Sequence, residues 1–82
     1  MKVSVEISMY PLDREYGTPI LKFIERLRTH EGLELRPNTM STQVFGEYDT
    51  VTAAVTQEMR TSFEEGDTVV MVMKVVNQDL KP

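Results

Sequence analysis

Cysteine is absent from the 82 residues, so the chain has no disulfide framework and no thiolate chemistry. A single histidine, His30, leaves the usual His-rich zinc sites without ligands. No apolar run reaches the roughly 18 residues needed to cross a bilayer. The N-terminus runs straight into a strand pattern rather than the apolar stretch of a signal peptide. A cytoplasmic location is therefore the expectation. Basic residues are scattered, and nine Lys and Arg against thirteen Asp and Glu give a net charge of −4. A nucleic-acid partner would want a basic stripe, so that class is set aside. The acidic balance leans towards a neutral or cationic ligand. There is no P-loop, no dinucleotide glycine fingerprint, no nucleophile elbow and no metal-ligand cluster. The loop from Pro11 to Gly17 has one Arg and two acids but no glycine-rich anion cradle. The expectation is a non-catalytic protein with neither cofactor nor metal.

What is present reads as alternating strands and amphipathic helices. Lys2 to Tyr10 alternates strictly, with Val3, Val5, Ile7 and Met9 on one face and Ser4, Glu6, Ser8 and Tyr10 on the other. Pro11 ends that strand. Thr18 reads as an N-cap and Pro19 as the first helical residue. Ile20, Phe23, Ile24 and Leu27 follow at helical spacing, with Leu21 widening the stripe. His30 falls in the last turn, and Gly32 fits the C′ position.

Leu33 to Gly46 reads as a hairpin. Its turn falls either at Pro37-Asn38 or, the favoured placement, near Met40-Ser41 with Pro37 inside an edge strand. The register of Ser41 to Gly46 stays open, because Val44 and Phe45 are adjacent and both apolar. Asp49 reads as the N-cap of a second helix. Val51, Ala54, Val55, Met59 and Phe63 form its inward stripe, and Glu64, Glu65 and Gly66 close it. Asp67 to Asn77 is the last strand, followed by a loose tail from Gln78 to Pro82.

The order strand, helix, hairpin, helix, strand predicts an α+β ferredoxin-like βαββαβ domain over residues 1–82. Its antiparallel sheet has the order 4-1-3-2, with both helices on one face. The last strand is apolar on both sides: Val69, Met71, Met73 and Val75 point one way, and Val70, Val72 and Val76 the other. Apolar surface of this kind marks an interface or a ligand groove, and a sheet edge invites pairing. A domain of this length buries only about 60–65% of its unfolded surface and has a thin stability margin, which pushes the same way. A homo-oligomer, a dimer or a tetramer, is expected.

Two polar groupings stand out as candidate binding groups. Ser4, Glu6, Ser8 and Tyr10 lie in one row that could hold a heteroaromatic ligand by hydrogen bonds and stacking, or be a solvated sheet face. Asn38-Thr39-Met40-Ser41-Thr42 sets short polar side chains around one Met, as at a pocket mouth or in any turn. Glu47 and Asp49 read first as a helix start, and His30 as a helix-end residue.

Three segments resemble the YkoF-like thiamine-binding family: Val3 to Leu12, with its Pro-Leu step; Asn38 to Glu47, with its small residue, Met, small residue, Thr and later Glu; and Gly66 to Met71, leading into the last strand. The resemblance implies a ferredoxin-like fold and oligomers formed through the sheets. It also implies binding of thiamine or hydroxymethylpyrimidine without turnover. On the matching segments it implies Ser8, Tyr10, Thr39, Ser41, Thr42 and Glu47 as ligand-binding candidates. Such groups could supply paired donors and acceptors for an aminopyrimidine, and a carboxylate or aromatic face for the cationic thiazolium. The alternative is a ferredoxin-like protein-interaction or regulatory module without a vitamin ligand.

Overall fold

The computed structural model describes residues 1–66 and 68–82. Its elements run β1 (Lys2–Pro11), α1 (Gly17–Arg28), β2 (Glu34–Pro37), β3 (Thr42–Glu47), α2 (Tyr48–Glu65) and β4 (Val69–Val76). All strand pairs are antiparallel, in the order β2-β3-β1-β4. Read from the other edge, this is the expected 4-1-3-2 arrangement of a ferredoxin-like fold. The expected start of the last strand at Asp67 lies outside the described residues.

The alternation in β1 decides which face is buried. Val3, Val5 and Ile7 are almost fully buried and pack with Phe23, Leu27, Val44, Val51, Ala54 and Val55 into one hydrophobic core. The register resolves the Val44–Phe45 ambiguity. Val44 pairs with Val5 and Leu35, on the helix-facing side, and Phe45 pairs with Ser4 and Glu34, on the open side. Pro37 sits in edge strand β2 opposite Thr42, where its missing N–H breaks no interior ladder.

Both helices start earlier than expected. Tyr16 already has helical dihedrals, so α1 begins at Gly17 and Thr18 is inside it rather than its cap. Pro19 gave a false boundary because the first-turn N–H groups of any helix lack intrahelical partners, so proline fits more than one of those positions. In α2 the N-cap is Glu47, not Asp49. The Met1 carbonyl accepts from the Tyr48 N–H at 2.9 Å, and the chain turns directly from β3 into the helix. Asp49 instead places its carboxylate in the first turn, where the helix dipole favours it.

Beyond the C-cap, Thr29, Gly32 takes φ +82° and turns the chain towards β2, so it is a turn residue rather than C′. Gly46 faces that turn. A Cβ there would lie 2.7 Å from the Gly32 carbonyl oxygen, so only glycine allows the close approach.

The helix stripes also differ from the periodic reading. Leu21 and Phe63 are exposed, at 61% and 50%. In place of Phe63, α2 buries Glu58 and Ser62 against α1. Glu58 accepts from Arg26 Nε at 2.9 Å and from His30 Nε2 at 2.6 Å. Arg26 also donates to Ser62 Oγ at 2.6 Å and to Glu65 Oε2 at 3.2 Å. Beside the apolar packing, a polar latch stands where Phe63 was expected to join the helices.

The tail is ordered across the open face of the sheet rather than loose. Ser4 Oγ donates to the Gln78 carbonyl at 2.7 Å and accepts from the Leu80 N–H at 2.8 Å. Lys81 reaches Glu34 on β2 at 3.9 Å. The strap covers Ser4 and Phe45, which are 7% and 6% exposed. By contrast, most of β4 stays exposed on both faces.

Removing Arg26 leaves Glu58 buried with its main partner gone. Arg26→Met is expected to lower unfolding free energy by about 3 kcal/mol in urea denaturation. A loss below about 0.5 kcal/mol would show that the latch contributes no stability.

Candidate functional site

A hollow of about 300 Å³ opens at the C-terminal end of β1, between the first half of α1 and the β2–β3 turn. Ile7 and Met9 of β1 and Ile20 and Phe23 of α1 give it an apolar floor. Tyr10 and Tyr16 bring aromatic rings to it. Asn38, Thr39, Met40, Ser41 and Thr42 form the remaining wall. Among the described residues, no charged side chain lines it. Size and lining match small-molecule sites, which combine an apolar body with a few polar groups.

The wall is a self-fastened turn. Asn38 Oδ1 accepts from the N–H groups of Met40 at 2.8 Å and Ser41 at 2.9 Å, and the Asn38 N–H donates to the Ser41 carbonyl at 2.8 Å. Asparagine serves here because its short side chain can mimic a backbone turn. Thr42, 5% exposed, belongs to the helix-facing row with Val44.

Four of the six candidate residues meet at this hollow: Tyr10, Thr39, Ser41 and Thr42. Ser8 does not join them, since it pairs with Val72 in the open-face row. Glu47 lies at the opposite end of the sheet. It pairs with Lys2, eight strand positions from Tyr10, or about 27 Å at 3.4 Å per residue. Its carboxylate accepts from the N-terminal amine at 3.0 Å, with Lys2 Nζ 3.7 Å away. The hydrogen bond from that amine, helped by its charge, holds Glu47 below its ordinary pKa.

Ser41 Oγ donates to Glu6 Oε2 at 2.9 Å, and Lys74 Nζ lies 3.1 Å from Glu6 Oε1. The Lys74 and Ser41 hydrogen bonds hold the Glu6 carboxyl below its ordinary pKa.

Sequence patterning missed Tyr16, which falls in an irregular loop, and Phe23, which reads as core. Asn38 stood in the polar cluster that reads as a pocket mouth or as a turn, but not among the six candidates. A larger hollow, about 410 Å³, opens between the start of α1 and the end of α2. Asp13, Lys22 and Glu65 border it with opposing charges, and none of the six candidates lines it. The smaller hollow is the better site, because aromatic rings and uncharged polar groups converge there. Among the described residues no group of His, Asp or Glu could hold a metal ion. No described helix is long and apolar enough to cross a membrane.

A family model described as thiamine-binding protein matches residues 5–81. Among solved structures, a hypothetical protein from Methanocaldococcus jannascii is 26% identical, with a TM-score of 0.81 over 99% of this chain and 84% of its own. A Streptococcus pneumoniae protein is 22% identical, with a TM-score of 0.87 over 98% and 90%. A Thermotoga maritima protein, provisionally described as a thiamine biosynthesis/salvage protein, is 22% identical, with a TM-score of 0.80 over 99% and 85%. No curated protein matches the chain significantly.

Because the folded state holds Glu6 ionised more readily than the unfolded chain does, its contribution to stability is complete above the ordinary carboxylate range. That contribution is lost as pH falls through the lowered pKa. Between pH 6 and pH 3, by chemical denaturation, Glu6→Gln is expected to lose stability less steeply than the wild type. Parallel curves would contradict this.

Proposed function

The chain belongs to the thiamine-binding protein family, and from that premise we propose that it binds thiamine, or its hydroxymethylpyrimidine half, in the hollow at the end of β1 without turning it over. One observation carries the reading: aromatic rings, hydroxyls and an amide meet in a concavity lined by no charged side chain among the described residues. A neutral aminopyrimidine suits such a lining, since it offers donors, acceptors and a π-face. The thiazolium finds no carboxylate there, and Glu47 is too distant to supply one. The pyrimidine half is thus the recognised part, and the thiazolium extends towards solvent or the Tyr faces.

We also propose a homo-oligomer built on β4 and the sheet. The chain exposes 5541 Å² for 9.4 kDa, against about 5,000 Å² for a monomer of that mass. Val70, Val72, Met73, Val75 and Val76 of edge strand β4 are all exposed. Those valines also favour the second reading, a protein-interaction module. A cytoplasmic setting belongs to the proposal, since a chain without cysteine needs no oxidising compartment.

Calorimetric titration with thiamine and with hydroxymethylpyrimidine tests the ligand. Both are expected to bind, the free pyrimidine no more than a few fold more weakly. Combining Tyr10→Ala with Thr42→Val is expected to weaken binding more than tenfold. Absence of heat and of thermal shift at millimolar ligand would refute the reading. Sedimentation is expected to give a defined dimer or tetramer. A monomer at high concentration would remove the assembly.

A further inference from the structure

We propose that Glu6, on the far face of the sheet, is a positioning residue for the hollow, acting through Ser41 to hold the Asn38–Ser41 turn in place. The inference rests on the reading that the hollow takes a pyrimidine ring. The turn overhangs the end of the sheet, since the last β2–β3 rung is Pro37–Thr42. The hydrogen bonds of Asn38 tie the turn to itself and do not reach the neighbouring strand β1. Among the described residues, one side-chain hydrogen bond fastens it to the rest of the protein: Ser41 Oγ to Glu6 Oε2, at 2.9 Å and across 35 positions of sequence.

Glu6 is suited to this grip. It lies in the centre of β1, paired with Gln43 on one side and Lys74 on the other, so its backbone is fixed from both strands. Lys74 Nζ lies 3.1 Å from the carboxylate's other oxygen, so both oxygens have a partner. An ionised acceptor makes the bond from Ser41 stronger than a neutral pair would be. The chain Lys74–Glu6–Ser41 runs over the open face, while the wall it steadies, Thr39 to Thr42, borders the hollow. Without the grip the wall is freed, and a ligand must order it on binding, which weakens affinity with no ligand contact removed.

The test is calorimetric titration of the full chain with 4-amino-5-hydroxymethyl-2-methylpyrimidine. Glu6→Ala is expected to raise Kd about tenfold, as loss of one charge-assisted hydrogen bond allows. Glu6→Gln, whose amide oxygen still accepts from Ser41, is expected to recover most of the loss. Ser41→Ala is expected to match Glu6→Ala, and the double variant to be no worse than either alone. Lys74→Met, at an 81% exposed side chain, is expected to move Kd in the same direction by less, with the melting temperature unchanged. A Glu6→Ala Kd within twofold of the wild type would overturn the proposal. So would losses from Glu6→Ala and Ser41→Ala that multiply. If the wild type itself gives no heat, the pyrimidine reading falls and the positioning role with it. That result is distinct from a wild type that binds and a Glu6→Ala that binds equally.

Discussion

β1 is hydrogen-bonded along both edges, to β3 on one side and β4 on the other, and its two rows of side chains organise the rest of the molecule. The helix-facing row, Val3, Val5 and Ile7, is buried under both helices and fixes where they sit. The opposite row is polar and serves three separate tasks along its length. Ser4 anchors the C-terminal strap, Glu6 ties β4 to the β2–β3 turn, and Tyr10 reaches the hollow at the strand's end. A slip of one residue in register would exchange the rows and put the polar groups in the core. The pairing of β1 is thus the constraint on which core, strap and hollow all depend.

The two sides of the sheet are finished by different means. The helix side closes with apolar packing plus one buried polar latch, where Glu58 is compensated by Arg26 and His30. The open side closes only in part, by the chain's own tail over Ser4 and Phe45. What remains bare is β4, an edge strand and the one with the most β-branched residues. A small domain that leaves such a strand uncovered has a physical reason to pair with another copy.

How far the sequence could be read follows from the range of the forces involved. Local alternation and period located β1, both helices and the hairpin, and the tolerance of edge strands for proline placed Pro37. Features set by contacts distant in sequence were not legible. The choice of Glu58 and Ser62 over Phe63 as inward residues depends on Arg26, 32 positions from Glu58. The order in Gln78 to Leu80 depends on Ser4, more than seventy positions away. The caps were misplaced because Thr18 and Asp49 carry a cap's chemistry, whereas the observed starts are fixed by the backbone at Tyr16 and by the Met1 carbonyl. At the site, residues near in sequence, Thr39, Ser41 and Thr42, converge with Tyr10 because the hairpin returns beside β1. Glu47 does not, because β3 carries it to the far end of the sheet.

Recognition of an uncharged ring at the end of β1, as proposed, can be tested directly. The most direct measurement is a ¹⁵N-edited NMR titration of the full chain with hydroxymethylpyrimidine. Saturable shifts are expected on the amides of Tyr10, Tyr16 and Thr39 to Thr42, with Glu47, Tyr48 and the strap at Gln78 to Leu80 unmoved. Shifts centred on Glu47, or none at millimolar ligand, would contradict it.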